Sequence, residues 1–198
     1  MKKLLVVLLL CSTGSTMAYM FWNQELKYIR PTPVPENYKP VAVRQTVDLH
    51  PYINYGADSA LYLHFFNPDC PCSRFNLNHF NALVRSFGKQ VHICAVIPAY
   101  GDLQRAKDMI GNSGITIIQD TDNKLTDACG VYSTPQAVII DGNEKLFYRG
   151  NYNKSRYCTT RESNYAEIAL TALANGEQPP HFNALATQAY GCQLPSNQ

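Results

Sequence analysis

The sequence predicts an α/β fold with a central mixed sheet flanked by helices, preceded by an N-terminal membrane anchor or signal segment. Two continuous apolar runs, at residues 61–66 and 91–97, have the length and composition of strands buried on both faces. An amphipathic stretch separates these runs, as expected for a helix that connects two parallel strands. A later Asp141-Gly142 pair between two apolar runs predicts a hairpin, so part of the sheet should be antiparallel.

The other elements follow from local periodicity and from glycine stop signals. In the amphipathic stretch, apolar residues recur at near-helical spacing until Gly88, and the last helical pattern ends at Gly176. The patterns predict helices over 75–87, 102–110, 125–129 and 163–174, and strands over 41–49, 115–118, 136–140 and 145–148.

The N-terminus combines a short basic start with a long uncharged segment. Residues 4–22 would extend roughly 28 Å as a helix, close to the hydrocarbon thickness of a bilayer. Lys2 and Lys3 favour a cytoplasmic N-terminus, which predicts a single-pass inner-membrane protein with a periplasmic domain. A cleaved signal, with the protein secreted to the periplasm, is the alternative, and lipidation at Cys11 is a third possibility. All three place the body outside the cytoplasm.

The sequence divides into four segments: an anchor or signal at 1–22, a proline-rich spacer at 23–40, a domain at 41–178 and a C-terminal tail at 179–198. The formal net charge is only +2, and the basic residues are scattered. No basic stripe indicates a nucleic-acid partner.

Cys70-Pro71-Cys72 lies where the first apolar run ends and the amphipathic stretch begins. Backbone amides at a helix N-terminus stabilise a thiolate. Thiols at this junction are therefore candidates for redox chemistry or for binding of a soft metal ion.

Two blocks carry a resemblance to a known superfamily. Phe-Phe-Asn-Pro-Asp-Cys-Pro-Cys at 65–72 resembles the active-site segment of thioredoxin-like proteins, and Tyr-Ser-Thr-Pro-Gln-Ala-Val-Ile-Ile-Asp-Gly at 132–142 resembles the segment that holds their cis-proline. Two further segments, Tyr148-Arg149-Gly150 and the late Tyr190-Gly191-Cys192, resemble membrane-anchored redoxin-type bacterial proteins of largely uncharacterised function. The resemblance implies a thioredoxin-like fold, Cys70 as nucleophile, and Thr134 and Pro135 as the residues that hold an extended substrate. Ser73 stands where the family has its second cysteine, and Cys72 lies one residue early.

The first functional hypothesis is an extracytoplasmic thiol–disulfide oxidoreductase that acts on protein thiols or disulfides without a cofactor. Cys70 would attack, Cys72 would resolve the mixed disulfide, and His64 would act as general base. Side chains two apart on a helix point to nearly opposite sides, so a Cys70–Cys72 bond would require local unwinding.

The alternative is a Cu(I)-binding chaperone or oxidase assembly factor. The thiolates of Cys70 and Cys72, with His79 or His64, suit a soft metal ion, and His79 follows Cys72 by about two helical turns.

The remaining cysteines divide by context. Cys94 lies in a buried strand pattern and is expected to pack in the core, whereas Cys129 could pack or resolve Cys70. Cys158 and Cys192 lie in polar, loop-like segments, which favours a structural disulfide between them that clamps the tail onto the domain. Arg149 is expected to be a solvated charge.

Overall fold

The computed structural model describes residues 2–26, 30–56, 58–111 and 114–195. Helix α1 covers Lys2–Phe21, and a π-helical turn follows over Trp22–Leu26. The segment Lys2–Gln24 is long and apolar enough to cross a membrane, and none of it is buried against the rest of the chain. An N-terminal apolar helix is thus present, and by length and composition it fits a membrane anchor or a signal sequence.

The centre of the domain is a five-stranded mixed sheet in the order β3-β2-β1-β5-β6. Strands β1, β2 and β3 are parallel, whereas β5 runs antiparallel to β1 and β6 runs antiparallel to β5. The five strands are β1 (Leu61–Phe65), β2 (His92–Pro98), β3 (Thr116–Asp120), β5 (Gln136–Ile140) and β6 (Leu146–Gly150). The predicted mixed sheet with a late hairpin is confirmed.

Helices cover both faces of this sheet, and a second, two-stranded sheet pairs β4 with β7. The short strands are β4 (Ser133–Thr134) and β7 (Cys192–Gln193). The helices are α2 (Pro71–Phe87), α3 (Leu103–Ile110), α4 (Lys124–Cys129), α5 (Tyr165–Ala174) and α6 (Ala184–Thr187), and a 3₁₀ turn covers Arg161–Ser163.

Strand β1 is buried on both faces, as its continuous apolar sequence predicts. Tyr62 faces a cluster that includes Phe80 of α2, whereas Leu61 and Leu63 face a second cluster that includes Cys94. Because successive side chains of a strand alternate between faces, one apolar run supplies both cores.

The predicted strand over 41–49 does not form. Thr46 makes only an isolated bridge to Lys145, although Val47 and Leu49 are buried. The backbone of Arg44 has a φ of 71°, a left-handed conformation that interrupts an extended strand. This segment therefore packs against the hairpin without becoming a sixth strand of the sheet.

The predicted spacer and tail both pack against the domain. Pro31 bridges to Tyr190, and the amide of Thr32 donates a hydrogen bond to the carbonyl of Ala189 at 2.8 Å. Ala189 and the α6 residue Ala186 are fully buried. The part of the proline-rich segment around Pro31 and Thr32 thus pairs with the C-terminal segment.

Candidate redox site

The local fold after β1 fixes the position of Cys70. Its amide donates to the carbonyl of Asn67 at 3.0 Å, and the amide of Asn67 donates to the hydroxyl of Ser73 at 3.1 Å. Pro71 occupies the first turn of α2, where a missing amide hydrogen costs nothing because helix N-terminal amides have no intrahelical partner. Cys70 is consequently the extended cap residue of a 17-residue helix.

The electrostatic setting of Cys70 combines one favourable and one unfavourable contribution. The N-terminal end of α2 carries partial positive charge, which stabilises a thiolate. The neighbouring carboxylate of Asp69 opposes it, but the guanidinium of Arg105 lies 2.6 Å from that carboxylate. Both side chains are about half exposed, so water and salt screen the pair. The helix end is therefore the main feature that favours the charged form.

The two sequence blocks that resemble thioredoxin-like proteins meet in space. The Sγ atom of Cys70 lies 3.8 Å from the carbonyl oxygen of Thr134. The peptide bond between Thr134 and Pro135 is cis. Cys70, Ser133 and Thr134 are all almost completely buried.

Cys70 forms a disulfide with Cys192, which lies 122 residues later in the sequence. The predicted disulfide between Cys158 and Cys192 is therefore wrong. The physical reason is the short sheet of β4 and β7, in which Thr134 and Cys192 are register partners. This pairing places Cys192 beside Cys70. The Cys158 thiol instead donates a hydrogen bond to the side-chain oxygen of Asn76 on α2 at 2.9 Å.

Cys72 retains its thiol and lies on the buried side of α2. Its residue is fully buried, and the side-chain amide of Asn76, one turn later, donates to its carbonyl at 3.0 Å. Cys70, by contrast, points toward Thr134 and Cys192. The structure therefore brings Cys70 together with Thr134 and Cys192. The disulfide partner of Cys70 is Cys192, not Cys72.

His64 lies inside the core. Its ring stacks on Phe66 and Phe80, and its Nδ1 atom forms a hydrogen bond of 2.6 Å with the Tyr152 hydroxyl. Burial, with a smaller effect of His79, lowers the pKa of His64 to about 3. A ring with this pKa is a poor proton acceptor near neutral pH. The environment of His64 is that of a packed core histidine, which opposes the predicted role as general base.

His79 lies elsewhere on α2 from the disulfide. Its Nε2 atom is 3.8 Å from a carboxylate oxygen of Glu167, its ring contacts Tyr152, and burial lowers its pKa. Within the described ranges, no three histidine, cysteine or acidic side chains are grouped to hold a metal ion. The predicted copper ligands Cys70, Cys72 and His79 therefore do not form a metal site in this state, in which the Cys70 sulfur is bonded to Cys192.

Two other cysteines are core residues. Burial raises the pKa of the Cys94 thiol to about 11 and also raises the pKa of Cys129, and both residues are fully buried.

Arg149, expected as a solvated charge, is partly buried, and it donates to the carbonyls of Val41 and Cys129 at 3.1 and 3.3 Å. Cys129 is thus a packing residue beside a structural arginine, and it takes no part in the disulfide.

The sequence did not predict that Cys192 belongs to the redox site as the partner of Cys70. The residues before it, Tyr190-Gly191, resemble the family's late segment, but no local pattern indicates a strand two residues long. The glycine directly before Cys192 is the sequence feature that could have indicated an unusual backbone there. In the structure Gly191 has a φ of 122°, which residues with a side chain rarely adopt.

Known structures share this architecture. An uncharacterized conserved protein from Geobacillus kaustophilus matches with a TM-score of 0.62 and 21% identity, over 83% of this chain and 93% of that chain. A hypothetical protein from Sinorhizobium meliloti 1021 matches with a TM-score of 0.56 and 19% identity, over 69% of this chain and 79% of that chain. A thioredoxin-like protein from Aeropyrum pernix matches with a TM-score of 0.47 and 16% identity, over 62% and 80% of the two chains.

The strand order, the cysteine at the start of the helix after β1 and the cis-proline before β5 together make the fold thioredoxin-like. The disulfide of Cys70 at this position points to a redox function. No curated protein matches the sequence. A family model matches residues 42–194, more than half of the chain, and the protein therefore belongs to the family described as domain of unknown function DUF6436.

Proposed function

We propose that this protein is a thiol–disulfide oxidoreductase that acts outside the cytoplasm, with Cys70 as its nucleophile. One observation carries the proposal: the sulfur of Cys70 lies at the N-terminus of α2, contacts the carbonyl of Thr134 and is bonded to a second cysteine. A thiol held at a helix N-terminus forms a stabilised thiolate, which is both the attacking and the leaving species in disulfide exchange.

The exchange balances with the two cysteines of the observed disulfide. In the reduced protein, the Cys70 thiolate attacks a substrate disulfide, and one substrate sulfur leaves as a thiolate that takes a proton from water. The Cys192 thiol loses its proton to water and attacks the Cys70 sulfur, which releases the second substrate sulfur. The substrate gains two electrons and the protein is oxidised. The reverse sequence oxidises a substrate dithiol.

Cys192 suits the resolving role better than Cys72. It already forms a bond with Cys70, with a Cα–Cα distance of 6.1 Å that lies within the normal range for disulfides. Cys72 is fully buried and points into the packed side of α2. Cys72 would reach Cys70 only if the first turn of the helix unwound.

The proposed location follows from the N-terminus. With Lys2 and Lys3 in the cytoplasm and α1 across the inner membrane, the thioredoxin-like domain lies in the periplasm, where disulfides persist. Protease added to spheroplasts tests this arrangement. An anchor is supported if the added protease digests the domain and if the intact chain, without protease, fractionates with the membrane. Recovery of a shortened soluble chain supports a cleaved signal, and a protected domain overturns the extracytoplasmic assignment.

A redox titration of the full chain in detergent tests the activity. The protein is equilibrated in glutathione buffers of graded potential, its thiols are alkylated, and mass spectrometry follows the Cys70 and Cys192 peptides. We expect both peptides to change together, reversibly, with two electrons, and Cys70→Ser to abolish exchange with a disulfide substrate. A bond that stays oxidised in every buffer overturns the proposal, because a structural disulfide resists reduction by glutathione.

Copper binding remains the alternative prediction, and it concerns the reduced protein. The test of copper binding is a Cu(I) titration of the reduced full chain in the presence of a competing chelator. Tight one-to-one binding that Cys72→Ser removes would support the metal-binding function. The absence of such binding would leave the redox function as the proposal that fits the site.

A further inference from the structure

The segment Tyr190 to Leu194, called here the tail strand, docks on the chain in the way that an extended peptide would. Its β7 residues pair antiparallel with β4, in the register Ser133↔Gln193 and Thr134↔Cys192. The amide of Leu194 donates to the carbonyl of Tyr132 at 3.0 Å. The chain therefore shows that an extended strand fits along residues 132–134 and carries a cysteine to the sulfur of Cys70.

Side chains also hold this strand. The hydroxyl of Ser133 lies 3.3 Å from the carbonyl oxygen of Tyr190 and 3.2 Å from that of Cys192, and it also contacts the hydroxyl of Thr32. Leu194, two residues after the cysteine, is almost buried in the core cluster that contains Val131. The edge of β4 thus binds the backbone of the strand, Cys70 lies beside its cysteine, and an apolar cluster binds the side chain two residues later.

The tail strand is buried at its two ends, Tyr190 and Leu194, and is partly open to solvent between them. Tyr190 is buried, and its hydroxyl donates to the carbonyl of Asn153 at 2.8 Å. Cys192 is partly exposed and Gln193 is exposed. Between them, Gly191 has a φ of 122°, and a Cβ atom there would lie 2.2 Å from the carbonyl oxygen of Thr134. Gly191 therefore permits the close approach of the two backbones.

We propose that the tail strand is a tethered occupant of the substrate site, and that the site accepts an extended polypeptide with a cysteine in the place of Cys192 and an apolar residue in the place of Leu194. The inference rests on the proposed function, and it adds the competition between the tail strand and the substrate and the apolar position of the site. The tail strand and the substrate compete for the same edge of β4, and the tail strand displaces the substrate from that edge when Cys192 attacks the mixed disulfide at Cys70. Breaking the Cys70–Cys192 bond frees the strand to leave this edge, and the substrate then docks beside the Cys70 thiolate.

The test compares a peptide with a small reagent on the full chain in detergent. The background variant is Cys192→Ser, which leaves the Cys70 thiol available while the tail strand remains. The probe is a synthetic peptide with the sequence of residues 188–195 whose cysteine is activated as a mixed disulfide with thionitrobenzoate. The Cys70 thiolate attacks the peptide sulfur, a bond forms between the two cysteines, and coloured thionitrobenzoate leaves. The small reagent is the symmetric thionitrobenzoate disulfide.

Gly191→Ala in this background should accelerate the reaction with the peptide relative to the small reagent, by roughly tenfold, because a strained residue with positive φ disfavours the docked tail strand. Leu194→Asp should act in the same direction, since it places a charge in an apolar site. Gly176→Ala is the matched control, because Gly176 also has a positive φ of 71° but has no atom within 4 Å of the added Cβ. A probe peptide with aspartate in place of its leucine should react more slowly than the original.

Equal relative rates in the background, Gly191→Ala and Leu194→Asp variants would overturn the inference, because the tail strand would not compete with the peptide. Equal rates for the leucine and aspartate peptides would overturn the assigned apolar position. Failure of Cys70 to react even with the small reagent would instead overturn the proposed function, so the two failures are distinguishable.

Discussion

Thr134 and Cys192 are register partners in a two-stranded sheet, although 58 residues separate them in the sequence. The same Thr134 contributes the carbonyl that contacts the sulfur of Cys70. The backbone pairing and the disulfide therefore hold one another in place, and the tail strand belongs to the site.

The disulfide partner can be assigned by single substitutions. Cys192→Ser should remove the two-electron couple of Cys70, because the bonded sulfur is lost. Cys72→Ser and Cys158→Ser should retain the couple, since the observed bond involves neither residue. Alkylation and mass spectrometry after equilibration in glutathione buffers provide the measurement. Loss of the couple in Cys158→Ser, with retention in Cys192→Ser, would contradict the assignment.

The disulfide should stabilise the fold. It closes a loop with a sequence separation of 122 residues, for which the chain-entropy model gives up to about 5 kcal/mol in the free energy of unfolding. Reduction, or Cys192→Ser, should lower that free energy in urea titrations in detergent, with Cys158→Ser as the matched control. Equal free energies of unfolding for the oxidised and reduced protein would contradict this prediction, because the disulfide would then not stabilise the fold.

The buried histidine predicts a pH-dependent stability. The pKa of His64 is about 3 in the folded chain and about 6.5 when the chain is unfolded, so the unfolded state binds the extra proton. The free energy of unfolding should therefore be highest above pH 6.5 and fall as the pH drops toward 3, by up to about 1.4 kcal/mol per pH unit for this residue. Urea titrations across this range provide the measurement.

His64→Phe should flatten part of that pH dependence and cost about 1 to 3 kcal/mol near neutral pH, because the buried Tyr152 hydroxyl loses its hydrogen bond to the ring. The exposed His181, replaced by Phe, controls for the substitution itself. The pH profile of disulfide exchange between pH 5 and 8 should keep its shape in His64→Phe. A lost inflection in that variant would restore His64 as a proton acceptor in the reaction.

The ion pair beside the nucleophile should have a small effect on exchange. Arg105→Ala leaves the Asp69 carboxylate uncompensated next to Cys70, which disfavours the thiolate. We expect exchange with a small disulfide to slow by a factor of about 2 to 5, because the pair is exposed. The double variant Asp69→Asn/Arg105→Ala should recover the rate, and added salt should reduce the difference. A faster single variant would contradict this electrostatic account.

The core of the fold was predictable because its signals are local. The two buried strands, helix α2 and the hairpin each show in a short stretch of sequence, as a continuous apolar run, a helical period or a turn pair. Cys70 and the Thr134-Pro135 bond were found for the same reason, with the added help of the family resemblance. The failure over 41–49 is also local, since nothing in that sequence indicates the left-handed backbone of Arg44.

The completed site was not predictable, because it depends on distant pairing. Strand β7 is two residues long and pairs with β4, which comes from far earlier in the chain, and Thr32 bonds to Ser133 of β4 and to Ala189. A sequence with six cysteines after Cys11 does not specify which of them meet. Cys158 and Cys192 look alike in sequence, but Cys192 pairs with Thr134 of β4 whereas Cys158 packs against Asn76.

The bonds of Thr32 also limit how far the redox site can lie from a bilayer. Thr32 contacts Ser133, the neighbour of Thr134, and only 11 residues separate Phe21, where α1 ends, from Thr32. Such a stretch reaches at most roughly 40 Å even when fully extended. With α1 across a membrane, Thr32 and the site beside it therefore stay within roughly 40 Å of the end of α1, within the reach of other membrane-bound proteins. Thiol partners embedded in that membrane would meet the site by diffusing in two dimensions.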